Sequence, residues 1–401
     1  MANPLQGKEI LLGVTGSIAA YKAIELASRL TKQGAVVSAI LTESATKFVS
    51  ALSFQSVTGQ KAYTEADLWG TEGHVTHIGL GHKADFYAIV PASANTIAKL
   101  ANGLGDNLLT VTALACHCPM LIAPAMDAGM YDHVATQTNV ATLKNRGVHF
   151  IGPMPGHLAS GLVGVGRMAE PQDVHARIRY LISRNGALAG KKILVTAGGT
   201  QEAIDPVRRI TNRSSGKQGL AVAQAALDAG AEVTLIMAPH HLTIPDGADV
   251  VDVVTAAEMY DAVISRIPNH DVLVMSAAVA DFRPIQNATK IKKSQGIPAL
   301  VLEETQDILQ AVHQEKILKN LSVKVIGFAA ESENLLAYAK DKMQKKGLDI
   351  MVANDISKTG AGFEGDTNQV TLIMSDGSLE EHPMMQKSEV ADLIIQKISI
   401  W

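Results

Sequence analysis

Only two cysteines stand among the 401 residues, Cys116 and Cys118. Side chains two positions apart cannot staple a fold, so a disulfide scaffold is excluded and a reduced, cytoplasmic setting is expected. Aromatic residues are 4% of the chain and the net charge is −4. That removes both the stacking platforms and the basic stripe of a nucleic-acid binder, and no nucleic-acid partner is expected. No secretory leader is visible, since Met1–Lys8 is polar and runs straight into a strand pattern. One stretch, 108–126, approaches membrane-spanning length, but His117, Pro119 and Pro124 interrupt it. It reads as a buried helix followed by a strand, and no membrane partner is expected.

What is present is a repeated grammar. The run GKEILLGVTGSIAAYKAIELASRLTKQGAVVSAILT (7–42) reads as strand, glycine turn, helix, glycine stop and strand, with Ala23, Leu26 and Leu30 at helical spacing. GKKILVTAGGT (190–200) and GLAVAQAALDAGAEVTLIMA (219–238) repeat it. With 47% hydrophobic residues, the chain can fill two cores. Two such starts predict two doubly wound, Rossmann-like, three-layer α/β domains in tandem, over residues 1–189 and 190–401. Apolar runs near 233–238, 250–254, 271–276, 323–332 and 348–357 predict the second sheet, and 359–383 predicts a β-hairpin around Ser375–Ser378. The glycine- and proline-rich segment 152–171 reads as a loop or flap, and 280–309 as a long polar excursion.

Open parallel sheets bind ligands at the C-terminal edges of their strands. Gly16, Ser17 and Ile18 follow the first strand where a helix start can hold a phosphate, and Pro91, Ser93, Ala94, Asn95 and Thr96 form a second such edge. This neutral, glycine-bearing mouth fits a flavin, and its spacing equally admits a nicotinamide dinucleotide. The second start differs by an inserted loop, 196–219, holding Asp205, Arg208, Arg209, Asn212, Ser214, Ser215 and Lys217. Loops from strand to helix usually run about two to six residues, and longer ones are commonly functional. Glycines after the strand and Ser-Ser-Gly-Lys at the next helix start describe an anion site.

In order along the chain, GVTGSIAAYK, His77 in HIGL, PASANT, PAMDAGMY, GRM, GGTQEAIDPVR, ITNRSSGKQG, AAVADFRP, KIKK, GFAAE and AND are all found. The chain thereby resembles, nearly end to end, the bifunctional bacterial coenzyme A biosynthesis family: a phosphopantothenoylcysteine decarboxylase fused to a phosphopantothenate–cysteine ligase. The resemblance implies a flavodoxin-like, FMN-binding decarboxylase domain first and a ligase domain with a β-hairpin addition second. A cysteinyl carboxylate has nowhere to put the electrons left by CO2; flavin oxidises the adjacent thiol carbon to a thioaldehyde, CO2 leaves, and the enethiolate is then reduced. His77 matches the family's catalytic histidine, the base for the thiol proton. Ser44 joins the cofactor set, and Met126, Arg167 and Met168 match substrate-binding positions. Two residues depart from the common pattern: Asp127 where much of the family has Asn, and Ser160 in place of a proton-donating Cys. An Asp127 with a raised pKa would offset the weaker acid at Ser160.

For the second half the resemblance implies CTP-dependent amide synthesis through an acyl-cytidylate. Asn212 matches the acyl-cytidylate residue and Lys290 the lysine supporting the displaced phosphate. Asp281, Gln306, Asp307, Ile308, Leu309, Phe328, Lys342 and Lys346 match nucleotide-binding positions, with Gln306 replacing a common Pro. Lys342 and Lys346, four apart on a helix, share one face. Arg208 and Lys217 are expected at the phosphate of 4′-phosphopantothenate. Mg2+ is expected to ride on the CTP phosphates, with no dedicated protein metal site. The resemblance further implies a homo-oligomer, with trimeric N-terminal and dimeric C-terminal contacts adding up to a dodecamer. Two other readings remain: a tandem Rossmann dehydrogenase, for which neither first strand supplies Gly-x-Gly-x-x-Gly, and an active ligase carrying a flavin-binding but catalytically weak first domain.

Overall fold

The computed structural model describes residues 3–69, 75–292, 299–331, 343, 345–355 and 365–401. The chain separates into two compact units between Ser183 and Arg184. That break precedes the expected one after residue 189, because the intervening residues already belong to the second unit: Leu188 N donates to Ala229 O at 2.7 Å. No helix among the described residues is long and apolar enough to cross a membrane.

In the first unit, strands β1 (Glu9–Val14), β2 (Val36–Leu41), β3 (Ala62–Tyr63), β4 (Phe86–Ala92), β5 (Met120–Pro124) and β6 (His149–Phe150) form one sheet. Its order is β3-β2-β1-β4-β5-β6, parallel throughout. Side chains of a strand point alternately to its two faces, and here both faces are buried. Ile10, Leu12 and Val14 pack with Leu26 and Leu30 of helix Ala20–Lys32, while Leu11 packs with Ile97 and Leu109 on the other side. This alternation is why a continuous apolar run serves as the central strand of three layers.

The expected flap at 152–171 is not an irregular loop. Strands β7 (Met154–His157) and β8 (Val163–Arg167) pair antiparallel as a short ribbon. The ribbon docks on the segment after β5, where Met126 N donates to Gly166 O at 3.0 Å. A Cβ on Gly166 would lie 2.2 Å from Met126 O, so only glycine permits this approach.

The second unit runs β9 (Lys192–Ala197), a hairpin of β10 (Gln201–Ala203) and β11 (Arg209–Thr211), β12 (Glu232–Met237), β13 (Asp249–Asp252), β14 (Val272–Met275) and a ribbon of β15 (Phe282–Pro284) and β16 (Leu302–Glu304). It continues with β17 (Lys324–Glu331), β18 (Ile350–Asp355), β19 (Thr367–Asn368), β20 (Val370–Met374), β21 (Leu379–Glu381) and β22 (Met385–Gln386). The main sheet has the order β13-β12-β9-β14-β17-β18-β20-β21. It is parallel from β13 to β18, and β20 and β21 add the expected antiparallel hairpin. Helices Lys217–Asp228 and Lys387–Ile398 pack against each other, each with an apolar face buried. The inserted loop, expected as a polar, anion-binding loop, carries its own two-stranded hairpin.

Candidate active sites

At the C-terminal edge of the first sheet lies a cavity of about 370 Å³. It brings together Ser17, Ile18, Met126, Asp127, Ser160, Arg167 and Met168, seven of the positions singled out in the sequence. The two departures from the family pattern meet there: Ser160 Oγ donates to Asp127 Oδ2 at 2.6 Å. Asp127 Oδ1 accepts from Gly129 N at 3.0 Å and so caps the short helix that follows. Asp127 reaches this position from β5 and Ser160 from the β7–β8 turn, so the docked ribbon is what joins them.

Three charged groups surround the mouth. Glu170 accepts from Lys22 Nζ through both carboxylate oxygens at 3.0 Å and also pairs with Arg167. The Lys22 ammonium, followed by the Arg167 guanidinium, holds the Glu170 carboxyl below the usual range. Helix Ala20–Lys32, which starts beside Ser17 and Ile18, has no acidic residue in its first turn. Its positive dipole end is therefore open to an anion such as a cofactor phosphate.

The neighbouring strand edge is built separately. Thr15 Oγ1 donates to Pro91 O and accepts from Ser93 N, both at 2.9 Å, tying the ends of β1 and β4 together. Ser93 Oγ accepts from Thr96 N at 3.3 Å, so Ser93 and buried Thr96 form a helix cap while Asn95 is exposed and Ala94 half-buried. A Cβ on Gly16 would meet that of Ser44 at 2.5 Å, so these two mark a close backbone crossing. None of Gly16, Ser44, Pro91 or Ser93–Thr96 lines the cavity described above. Nor does His77. It lies in the first turn of helix Thr76–Lys83, half-buried, with its Nδ1 buried and without a hydrogen-bond partner. Val75 and Ile78 beside it are 59% and 40% exposed, an apolar surface around an unsatisfied ring nitrogen.

The second unit holds two adjoining cavities beyond the ends of β9, β14 and β17. One, of about 490 Å³, brings together Asp281, Gln306, Asp307, Ile308, Leu309, Phe328 and Lys346. Asp307 Oδ1 caps helix Ile308–Leu318 by accepting from Gln310 N at 3.1 Å, and its Oδ2 lies 3.0 Å from Lys346 Nζ. Lys342, the expected partner of Lys346, lies outside the described residues. The other cavity, of about 430 Å³, shares Asp281 and Phe328 with the first and adds Asn212 and Lys217. Asn212 Nδ2 donates to Ala278 O at 3.1 Å and to Val279 O at 3.4 Å, which fixes its amide against the end of β14. Gly216, at φ +81°, turns the chain into helix Lys217–Asp228, a conformation that favours glycine.

Arg208 and Lys290 line neither cavity. Arg208 pairs with Asp205 at 2.9 Å and reaches Ile291 O at 3.3 Å. Asp205, polar equipment of the loop by its sequence, is a buried anchor: it accepts from Val207 N, Arg208 N and Ile291 N at 2.8, 2.8 and 3.2 Å. Burial pushes its carboxyl upward, but the three backbone donors and Arg208 outweigh that and hold it below the usual range. Lys290 is exposed, one residue before the anchored Ile291. Sequence reasoning passed over Lys22 and Glu170 at the first cavity and Asn354, Asn368 and Lys387 at the second. Lys22 and Asn354 carried a signal, as parts of the GVTGSIAAYK and AND motifs.

Two family models match the chain: Flavoprotein over residues 2–183 and DNA/pantothenate metabolism flavoprotein C-terminal domain over 188–400. The chain is 43% identical over 399 residues to the coenzyme A biosynthesis bifunctional protein CoaBC of Bacillus subtilis, covering 98% of this chain and 97% of that one. It is 43% identical over 406 residues to the CoaBC of Mycobacterium tuberculosis, covering 98% and 96%. A crystal structure of the C-terminal domain of a CoaBC protein is 40% identical at a TM-score of 0.46, covering 54% of this chain and 97% of that one.

Proposed function

The chain belongs to the family of coenzyme A biosynthesis bifunctional proteins, and on that premise we propose that its two units carry out successive steps on one metabolite. The second unit joins 4′-phosphopantothenate to cysteine at the expense of CTP; the first decarboxylates the product to 4′-phosphopantetheine with FMN. The observation that carries the reading is 43% identity over 98% of the chain, spanning both units. Neither a dehydrogenase nor a ligase with an idle partner domain is favoured by it.

A carboxylate is a poor acyl donor near neutral pH. In the ligase step the acid's carboxylate therefore attacks the α-phosphorus of CTP and pyrophosphate leaves. The cysteine amine then opens the acyl-cytidylate and CMP departs. The nucleotide is assigned to the wall formed by Asp281, Gln306–Leu309, Phe328 and Lys346, and Lys342, outside the described residues, is assigned to the same nucleotide. Asn212 is assigned to the acyl group: with its amide held against the chain that follows β14, a remaining N–H would steady charge developing on the carbonyl. Lys290 and Arg208 are assigned to phosphate, each on chain tethered through Asp205. Mg2+ is held by the nucleotide's phosphates and water.

The first cavity fits a flavin on two counts: its volume is within the usual range for cofactor sites, and the helix start beside Ser17 and Ile18 is free of acidic side chains. When bound, FMN supplies an oxidant for the substrate's thiol carbon and then a reductant for the decarboxylated product. The chain's own residues do the rest. Arg167 and Met168, on the ribbon, close over substrate; Asp127 and Ser160 hold a proton for delivery to carbon; His77 takes the thiol proton. His77 stands off the cavity of its own chain, so we assign it to the cavity of another protomer in a homo-oligomer. We place the oligomer's trimeric contacts in the first unit and dimeric ones in the second, giving a dodecamer in the cytoplasm.

The decisive assay supplies phosphopantothenate, cysteine, CTP and Mg2+ to purified protein and follows CMP, pyrophosphate and CO2 separately. CMP without CO2 would leave only the ligase, and absence of all three would end the reading.

A further inference from the structure

Lys22 and Glu170 join two pieces of chain that enclose the first cavity. Lys22 lies in the first turn of helix Ala20–Lys32 and lines the cavity, with 12% of its side chain exposed. An ammonium group there opposes the helix dipole, so the position favours a carboxylate partner. Glu170 is that partner, taking Lys22 Nζ through both oxygens. It comes from the joint between the ribbon strand β8 and helix Pro171–Ser183, where Asp173 N and Val174 N donate to its carbonyl at 3.0 Å. Between Arg167 and Glu170 lie Met168 and Ala169, 2% and 0% exposed and packed in the core. Arg167 and Glu170 thus flank a buried dipeptide and pair across it. The other side of Arg167 is also close-fitted: a Cβ on Gly156 of the facing strand would stand 3.4 Å from its Cδ. Asp127, the carboxylate inside the cavity, is engaged instead by Ser160 Oγ and Gly129 N. Glu170 does not itself line the cavity, so any effect it has there passes through Lys22 and Arg167.

We propose that Glu170 is a positioning residue of the first unit: anchored on Lys22, it aims Arg167 at the anionic substrate, phosphopantothenoylcysteine. An arginine left free on a ribbon samples many rotamers, and substrate binding then carries the entropy of fixing one of them. Held by a carboxylate, the planar guanidinium is fixed in advance and still has N–H donors to spare for a substrate oxygen. Stability is a poor alternative account of the pair. The side chains of Arg167 and Glu170 are 49% and 36% exposed, and ion pairs so open to water contribute little to folding. The same fork ties the ribbon that covers the substrate to the helix whose start is open to the cofactor phosphate. The inference rests on the decarboxylase reading of this unit.

The test is a double-mutant cycle on the full-length, flavin-loaded protein: Glu170→Gln, Arg167→Gln and the two combined, with Glu170→Asp as a further variant. KM and kcat are read from CO2 release with phosphopantothenoylcysteine, and its Kd from calorimetry. Flavin content and melting temperature are measured alongside. Glu170→Gln is expected to raise KM and Kd about 10-fold, the weight of a hydrogen bond to a charged group. Its kcat, flavin content and melting temperature should stay at wild-type values. In the Arg167→Gln background Glu170→Gln should add nothing, because the group it positions is gone. Glu170→Asp keeps a negative charge at the helix start but withdraws the carboxylate by one methylene. It should therefore melt like the wild type and still raise KM. Effects of Glu170→Gln and Arg167→Gln that multiply would overturn the proposal. So would an unmoved KM, or a loss of flavin from Glu170→Gln, which would assign the residue to the cofactor helix instead. A wild type that binds phosphopantothenoylcysteine without releasing CO2 would end the decarboxylase reading alone, and the cycle on Kd would still decide on Glu170. A wild type that does not bind it would end both.

Discussion

The two units share a sheet plan and a ligand edge, yet they equip that edge in opposite ways. Around the first cavity charge is cancelled locally, Glu170 lying between Lys22 and Arg167, and the polar contact inside is a hydroxyl on a carboxylate. Such a site suits a neutral ring and the movement of one proton. Around the second, Lys217 and Lys387 stand at two helix starts, and Lys217 pairs with Asp366. The sheet therefore supplies only the address; the turns after each strand and the short ribbons decide the chemistry. A second contrast concerns completeness. The proposed nucleotide residues that are described converge within one chain, whereas His77 stands off the first unit's cavity.

That contrast breaks most visibly at His77. His77→Asn is expected to lower CO2 release from phosphopantothenoylcysteine by about 10²- to 10⁴-fold, the range for loss of a general base, while CMP formation is untouched. If the residue serves a neighbour's cavity, mixed oligomers of His77→Asn with Asp127→Asn should recover part of the reduced product, 4′-phosphopantetheine, that each fails to form alone. No recovery after verified subunit exchange would return His77 to a site within one chain. The reciprocal change, Asn212→Ala, should cost about 10²- to 10³-fold in CMP formation, as removal of one preorganised donor does. Decarboxylation of supplied phosphopantothenoylcysteine should be unaffected. Loss of both activities from either change would show that the units are not chemically separate.

A smaller effect is expected where the first unit departs from its relatives' common pattern. Replacing the ionisable carboxyl in Asp127→Asn, or the hydroxyl in Ser160→Ala, takes one member out of the pair joined at 2.6 Å and with it the proposed proton source. The diagnostic is a mismatch: CO2 still forms, but reduced product falls behind it by about 10-fold or more. Product and CO2 remaining equal in both variants would exclude the pair from proton delivery.

Much of this was legible beforehand, and the exceptions have physical causes. ILLGV reads as a central strand because both its faces are apolar, and the structure buries it from two sides. The ribbons β7–β8, β10–β11 and β15–β16 were not legible, since strands of three to five residues leave too little alternation to see. Asp205 counted as site equipment because its neighbours are polar; its burial and four bonds appear only in three dimensions. Lys387 went unnoticed for the opposite reason, as a lysine opening an amphipathic helix reads as solvated surface. His77 could be marked by its motif, but that it does not line the cavity of its own chain is a property of the fold alone.

The mildest test separates the units by their response to acid. His175, on helix Pro171–Ser183, is largely buried with Nε2 unpartnered. Burial, reinforced by the positive charges of Arg179 and Arg29, pushes its pKa from 6.5 down to about 4. The folded state thus holds the ring neutral where the unfolded chain would protonate it. Its contribution is fully present above pH 6.5 and is lost as pH falls toward 4. Discounted for partial exposure, the loss is about 1–2 kcal/mol, a few degrees in melting temperature. Asp205 in the second unit has the same sign but a lower window, because its carboxyl lies below its ordinary value of 3.8. Calorimetry between pH 7.5 and 4.5 should therefore show the first unit's transition moving down ahead of the second's, and His175→Leu should reduce that movement. An unaltered pH response in His175→Leu would mean that the ring is solvated in the folded protein, and its buried nitrogen would then need another account.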